Sequence, residues 1–262
     1  MSHECWTYIF KKGAYPVDCA VPKDLLDKMR HEFEYWYPMD MRVSGKDLIR
    51  NHLTMSLYNH QAVWQDPAMM PRSIYCNGYM VLNNEKMSKS TGNFLTLKDC
   101  IKLFGCDATR MTLADAGDGL DDANFETAVA NANILKLFTL EKWIKDNVEG
   151  TIKGSVDFSS HVENQDLWDK IFENAINHAI DVTTQNYDEI RYKQVLKSGF
   201  FELQNIKEDY LIAKEGKMNP FTLMRFIIAQ LVMINPIIPH FAQFIWNTYV
   251  FPVLSASTNY PE

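Results

Sequence analysis

The stretch Lys86-Met87-Ser88-Lys89-Ser90-Thr91-Gly92-Asn93 decides how this chain is read. It follows a short apolar run, Tyr79 to Leu82, and precedes a segment whose spacing predicts a helix from about Leu97 to Phe104. Two ammonium groups three residues apart, in a Ser- and Gly-containing loop at a helix entrance, can hold a polyphosphate and neutralise charge developing on it. A solvated basic turn accounts for the same residues. The loop's chemistry alone leaves both readings open.

Immediately upstream, residues 71–83, with Ile74, Cys76, Val81 and Leu82 around Asn77-Gly78, predict one or two buried strands leading into the loop. Backbone groups there could meet an adenine edge. Further back, residues 39–64 read as strand, tight turn and helix: Met39, Met41 and Val43 alternate with polar neighbours, Ser44-Gly45 turns, and Leu48 to Trp64 follow helical spacing. In open α/β sheets ligands gather at the carboxyl ends of strands, where an acidic side chain can accept from ribose hydroxyls. Asp47 stands two residues past Gly45 for that role, although a helix N-terminal charge explains it equally well. His52 and His60 are eight apart, not four, so no metal site is expected from them. One of the two is within reach of a nucleotide on this reading.

At the N-terminus, Cys5 to Phe10 reads as a β-prone aromatic run, and Pro22-Lys23-Asp24 opens a helix through Phe33. The aromatic run Phe33 to Pro38 is expected in a core or domain seam rather than against a stacked ligand. Downstream, Leu97–Gly105 and Ala108–Ala116 read as short helices capped by Gly105 and Gly117. From Asp121 the texture changes to long amphipathic helices. Ala123 to Val148 places Phe125, Val129, Ala132 and Leu135 on one stripe, with Asp121 or Asp122 as N-cap. A polar linker follows from Glu149 to Glu163. Two more stripes run from Trp168 to Val182 and from Tyr192 to Tyr210, and Asn219-Pro220 opens an apolar helix to Ile234 that Pro236 and Pro239 end or kink. The expected fold is α/β plus all-α, with an antiparallel helical bundle in the second half.

Composition narrows the class. With 262 residues, 47% hydrophobic and 23% charged, the chain is ordinary globular protein with room for two domains, 1–120 and 121–262. Phe221 to Ile238 is broken by Arg225, Gln230, Asn235 and Pro236, so no membrane span is expected, and the first residues contain no apolar h-region. Five cysteines without a Cys-x-x-Cys pair fit reduced cytosolic thiols. Residues 1–120 carry 14 basic and 14 acidic side chains, so the formal charge of −7 lies wholly in residues 121–262. That argues against non-specific nucleic-acid binding. Arg191, Lys193 and Lys197 form the clearest local basic patch, which solvated helix charge explains unless RNA is argued independently.

Lys86 to Ser90 matches the Lys-Met-Ser-Lys-Ser signature of class I aminoacyl-tRNA synthetases, and its surroundings agree. Phe33 to Leu53, Asn77 to Leu97, Leu113 to Phe125 and Asn235 to Trp246 resemble the cytosolic, eukaryotic or archaeal, leucyl type. The resemblance implies the second half of a Rossmann-type nucleotide-binding domain followed by an anticodon-binding bundle. It implies that Lys89, supported by Lys86, contacts ATP phosphates during formation of the aminoacyl-adenylate, with Ser88 and Ser90 shaping the loop. Gly45 and Asp47 then hold the ribose, and Gly78, Met80 and Val81 lie along the adenine. ATP, Mg²⁺, leucine and tRNA(Leu) are the implied ligands, in the cytoplasm, with Arg191, Lys193 and Lys197 as candidate tRNA contacts.

The partner histidine signature, His-Ile-Gly-His, is not among these residues, nor is an editing insertion. The chain is therefore expected to be a fragment, a truncated gene model or one piece of a split enzyme. On that expectation its partners include the N-terminal half or a multi-synthetase assembly, and it does not catalyse adenylate formation alone. A non-catalytic tRNA- or protein-interaction module, or a synthetase for isoleucine, valine or methionine, is the alternative.

Overall fold

The computed structural model describes residues 1–152 and 156–260 and is mostly helical. Two compact units, Met1–Tyr79 and Met80–Glu262, divide the chain.

In the first unit, α1 (His3–Lys11) packs on α2 (Lys23–Trp36) around Cys5, Tyr8, Ile9 and Leu26. The β-prone reading of Cys5 to Phe10 is corrected here, because this run is helix. Its buried residues fall at helical spacing, Ser2 accepts from the Cys5 N–H as N-cap, and Lys12 closes the end in the left-handed region. Strand β1 (Arg42–Gly45) pairs in parallel with β2 (Ile74–Asn77). Between them a 3-10 turn (Lys46–Leu48) and a π turn (Ile49–Leu53) lead into α3 (Thr54–Trp64).

In the second unit, β3 (Met80–Leu82) is the central strand of a three-stranded ladder, antiparallel to β4 (Glu85–Lys86) and parallel to β5 (Ala123–Phe125). Strand β2 is half-buried only at Tyr75 and Cys76, with Ile74 and Asn77 exposed, and β3 is half-buried apart from the buried Leu82. Next come α4 (Leu97–Phe104) and α5 (Cys106–Ala116), with Gly105 and Gly117 at positive φ as C-caps.

The helix expected from Ala123 begins later, as α6 (Thr127–Thr151), because residues 123–125 join the ladder. Neither Asp121 nor Asp122 is its N-cap. Asn83 takes over that function from across the ladder, its Oδ1 accepting from the Thr127 N–H at 3.0 Å. The buried face of α6 is Ala130, Asn133, Leu137, Leu140, Ile144 and Val148, and Leu135 of the expected stripe is exposed. Asn133 is satisfied by the Thr112 hydroxyl of α5 at 3.0 Å.

Of the expected linker, 149–151 belong to α6, 158–163 form α7 (Phe158–Glu163), and 153–155 lie outside the described residues. Helix α8 (Leu167–Asp188) opens with a capping box between Asp166 and Asp169 and buries Phe172, Ile176 and Ala179, one step round from Trp168 and Ile171, which are half exposed. It packs on α10 (Leu203–Ala213) and α11 (Pro220–Ile234). A short α9 (Tyr192–Leu196) and a π segment, Lys197–Glu202, precede α10. Asn219 caps α11 as expected, its Oδ1 accepting from the Phe221 N–H at 2.9 Å. After the Pro236 to Ile238 corner come α12 (Pro239–Ile245) and α13 (Phe251–Ala256). One large core runs through these helices, from Met111 to Val250.

Candidate functional site

In the first unit, the parallel register sets Ser44 against Cys76 and Gly45 against Asn77. Gly45 and Asn77 therefore end the ladder together at its carboxyl edge, with Gly78 next in sequence and Asp47 in the turn that follows Gly45. This is the edge where open α/β sheets bind ligands. Asp47 is exposed and folds back toward Gly45, since a Cβ at position 45 would stand 2.6 Å from Asp47 Oδ1. The Lys46 ammonium lies 4.8 Å from the centre of the Tyr79 ring, a cation–π contact beside the same strand ends.

Both histidines have local partners: His52 Nε2 lies 3.1 Å from the Arg42 guanidinium, and His60 Nδ1 lies 2.7 Å from the Ser56 carbonyl. The aromatic run splits. Phe33 stacks on Tyr37 and Trp64, whereas Tyr35 and Trp36 are exposed.

In the second unit, Asn83 and Asn84, both at positive φ, turn β3 into β4 so that Val81 pairs with Lys86. Strand β3 has partners on both sides, with Val81 beside Lys86 in the ladder and Met80 beside Ala123. The lysine loop then closes on itself. The Ser88 N–H donates to the Asn93 carbonyl at 2.8 Å, and the Asn93 amide donates to the Lys86 carbonyl at 3.4 Å. The Ser88 and Ser90 hydroxyls are 2.9 Å apart, and Gly92 at φ 75° completes the turn. Lys86 and Lys89 are exposed, and among the described residues neither is in an ion pair. A closed loop that presents two unpaired ammonium groups to solvent is arranged to receive an anion.

The basic patch is more compensated than its sequence suggests. Arg191 pairs with Glu189 at 2.6 Å and Lys197 with Glu202 at 3.5 Å, which leaves Lys193 as its unpaired cation among the described residues. The Lys193 main-chain N–H donates to Asp118.

Sequence reading missed Asn83 and Asn93, which fix the hairpin and loop, although an Asn-Asn pair between β-prone runs was a usable hairpin signal. It also missed the anchoring of α5. Asp107 Oδ1 lies 3.0 Å from His240 Nδ1, and Asp107 Oδ2 accepts from the Phe241 N–H at the start of α12. Arg110 donates from Nε to the Ile237 carbonyl at 2.6 Å and from Nη2 to the Pro236 carbonyl at 2.8 Å. Ligand atoms of Cys106, Asp107 and His240 lie within 4.8 Å of one another, a grouping no local spacing reveals. Asp107 is already engaged there in holding α12.

Residues 20–136 match the family described as tRNA synthetases class I (M), and residues 169–262 match the anticodon-binding domain of tRNA ligase. The chain is similar to the cytoplasmic leucine–tRNA ligase of Arabidopsis thaliana, 44% identical over 94% of this chain and 22% of that protein. It is likewise 41% identical to that of Saccharomyces cerevisiae, over 94% of this chain and 22% of the relative. The leucine–tRNA ligase of Aeropyrum pernix is 34% identical over all of this chain and 27% of its own length. The chain thus spans about a fifth to a quarter of these curated relatives. The fold is similar to that of Agrobacterium radiobacter LeuRS, solved as a ternary complex with tRNA and LeuAMS, with a TM-score of 0.67 at 18% identity over 98% of this chain and 32% of that one.

Proposed function

We propose, from the matches to the class I synthetase and anticodon-binding families and from the loop geometry, that the chain forms the ATP-phosphate part and the tRNA-facing helical part of a leucine–tRNA ligase. The single observation that carries the reading is the lysine loop, closed by Ser88 and Asn93 with both ammonium groups exposed and, among the described residues, in no ion pair.

In this reading residues 1–120 are the second half of a Rossmann-type catalytic domain and 121–262 an antiparallel anticodon-binding bundle acting in the cytoplasm. Among the described residues no helix is long and apolar enough to cross a membrane. Asp47 accepts from the ribose hydroxyls, with Gly45 leaving room for its carboxylate, and Gly78 lies along the adenine. Met80 and Val81 support the hairpin from which Lys86 and Lys89 reach the phosphates. The leucine carboxylate attacks the α-phosphorus, pyrophosphate leaves, and a tRNA terminal hydroxyl then takes the leucyl group from the adenylate as AMP leaves. Charge accumulates on the departing pyrophosphate, and the two ammonium groups carried by the closed loop stabilise it. The loop from Lys86 to Asn93 offers ammonium, hydroxyl and amide groups rather than carboxylates, which fits a Mg²⁺ ion carried in by the nucleotide phosphates.

A chimaera tests this reading: the corresponding segment of the Saccharomyces cerevisiae relative is replaced by this chain and leucine-dependent ATP–pyrophosphate exchange is measured. Exchange that falls about 10²-fold or more with Lys89→Ala is expected. A folded chimaera without exchange, or one indifferent to Lys89→Ala, overturns it.

A further inference from the structure

Cys5 lies on α1 and Cys19 in the loop before α2, yet their sulfurs stand 3.1 Å apart. That is about 1 Å longer than a disulfide bond. One contact closes the loop on itself and another holds it against the helix. The Tyr15 hydroxyl donates to the Val21 carbonyl at 2.9 Å, and the Tyr15 ring meets the Tyr8 ring edge-on at 5.7 Å. Cys19 and Val21 pack against the small core formed by Cys5, Tyr8, Ile9 and Leu26. The two thiols also differ in access. Cys5 is buried at 2% exposure, whereas Cys19 is partly open to solvent.

We propose that Cys5 and Cys19 form an oxidation site that peroxides convert to an intramolecular disulfide tying α1 to the entrance of α2. The Cys19 thiol, reached from solvent, attacks one peroxide oxygen, so that the O–O bond breaks, Cys19 becomes a sulfenic acid and water leaves. The Cys5 sulfur then attacks the Cys19 sulfur, the S–S bond forms, the S–O bond breaks, and the hydroxyl departs as a second water with the remaining thiol proton. Two thiols are oxidised by two electrons and one peroxide is reduced. The Ser2 hydroxyl, 3.5 Å from the Cys5 sulfur, and the neighbouring Cys19 thiol lower the Cys5 thiol from its ordinary value, which favours the thiolate that the second step needs.

The geometry separates this pair from the other three cysteines, since among the described residues none of Cys76, Cys100 and Cys106 has a second sulfur as hydrogen-bond partner. The sites of tryptic cleavage make the bond easy to detect, because Lys11 and Lys12 lie between the two cysteines.

The test treats the purified chain with stoichiometric hydrogen peroxide, alkylates the remaining thiols and digests it with trypsin without reductant. The expected product is the Met1–Lys11 peptide joined to the Gly13–Lys23 peptide, about 2 Da lighter than their sum and released by reductant. In Cys5→Ala, a sulfenic acid trapped by dimedone at Cys19 is expected in place of the cross-link. The proposal is overturned if Cys5 and Cys19 are both recovered alkylated after peroxide has oxidised the other cysteines. It is equally overturned if either pairs with a different cysteine or with a second chain.

Discussion

Gly45 and Asp47 are fitted to each other: the Asp47 carboxylate occupies space that a side chain at position 45 would need, with Oδ1 2.6 Å from where a Cβ would stand. Gly45 has φ −109°, so its backbone does not require glycine, and the requirement comes from the carboxylate's place alone. Gly45→Ala is therefore expected to turn Asp47 away at a stability cost below about 1 kcal/mol. Affinity for both adenosine and ATP should fall about tenfold, close to the effect of Asp47→Asn. Thermal melting and titration calorimetry on the two variants check this, and an alanine variant with unchanged adenosine affinity contradicts it.

The hairpin depends on Asn83, whose side chain caps α6 at Thr127 while its backbone sits at φ 51°. Asn83→Gly keeps the turn and loses the cap, at a cost of about 1 kcal/mol. Asn83→Ala loses both and should cost about 2 kcal/mol. Urea denaturation of the two variants measures the difference, and equal losses would assign the whole effect to the cap.

Acid sensitivity is expected at α8. The Lys214 ammonium, hydrogen-bonded to Asp166, holds that carboxyl below its ordinary value, and backbone donation from Asp169 adds to the effect. A carboxyl depressed in the folded state contributes stability above its unfolded value, about 3.9, and that contribution is lost as pH falls through the folded value. Urea midpoints taken at about pH 5 and about pH 3 should fall more in the wild type than in Asp166→Asn, which retains an N-cap side chain without the titrating charge.

RNA binding by the basic patch should rest on Lys193, since Arg191 and Lys197 are paired with their own acidic neighbours. Lys193→Ala is expected to lower tRNA affinity severalfold and to reduce the slope of log affinity against log salt by about 1. Arg191→Ala should do less, because it also frees Glu189. Filter binding across a salt series tests the ordering.

What could be read from residue order was whatever depends on neighbours in the chain. The lysine loop, the glycine caps at Gly105 and Gly117, and the Asn219-Pro220 helix start are all set within a few residues. The strand at Ala123 was hidden because its reason is a partner some 40 positions away, where Asn124 bonds Asn84. Cys5 to Phe10 looked β-prone by residue type, and its helix follows from a cap at Ser2 and a buried face against α2. The stripe on α6 was read one step round the helix because the hydrophobic residues outnumber the buried ones: Ile134, Leu135 and Phe138 are exposed. The site was legible as residues but not as placement. Periodicity shows neither the Gly45–Asn77 register nor the closure of the loop by Asn93.

The central claim is that the lysine loop receives the phosphates of ATP, and calorimetric titration of the wild-type chain with ATP and with adenosine at low and high salt tests it most directly. ATP should bind at least about tenfold more tightly than adenosine at low salt, with the advantage shrinking as salt rises. Lys89→Ala should remove most of that advantage and leave adenosine binding unchanged. Equal affinity for the two ligands, or an ATP preference that survives Lys89→Ala, would contradict the account.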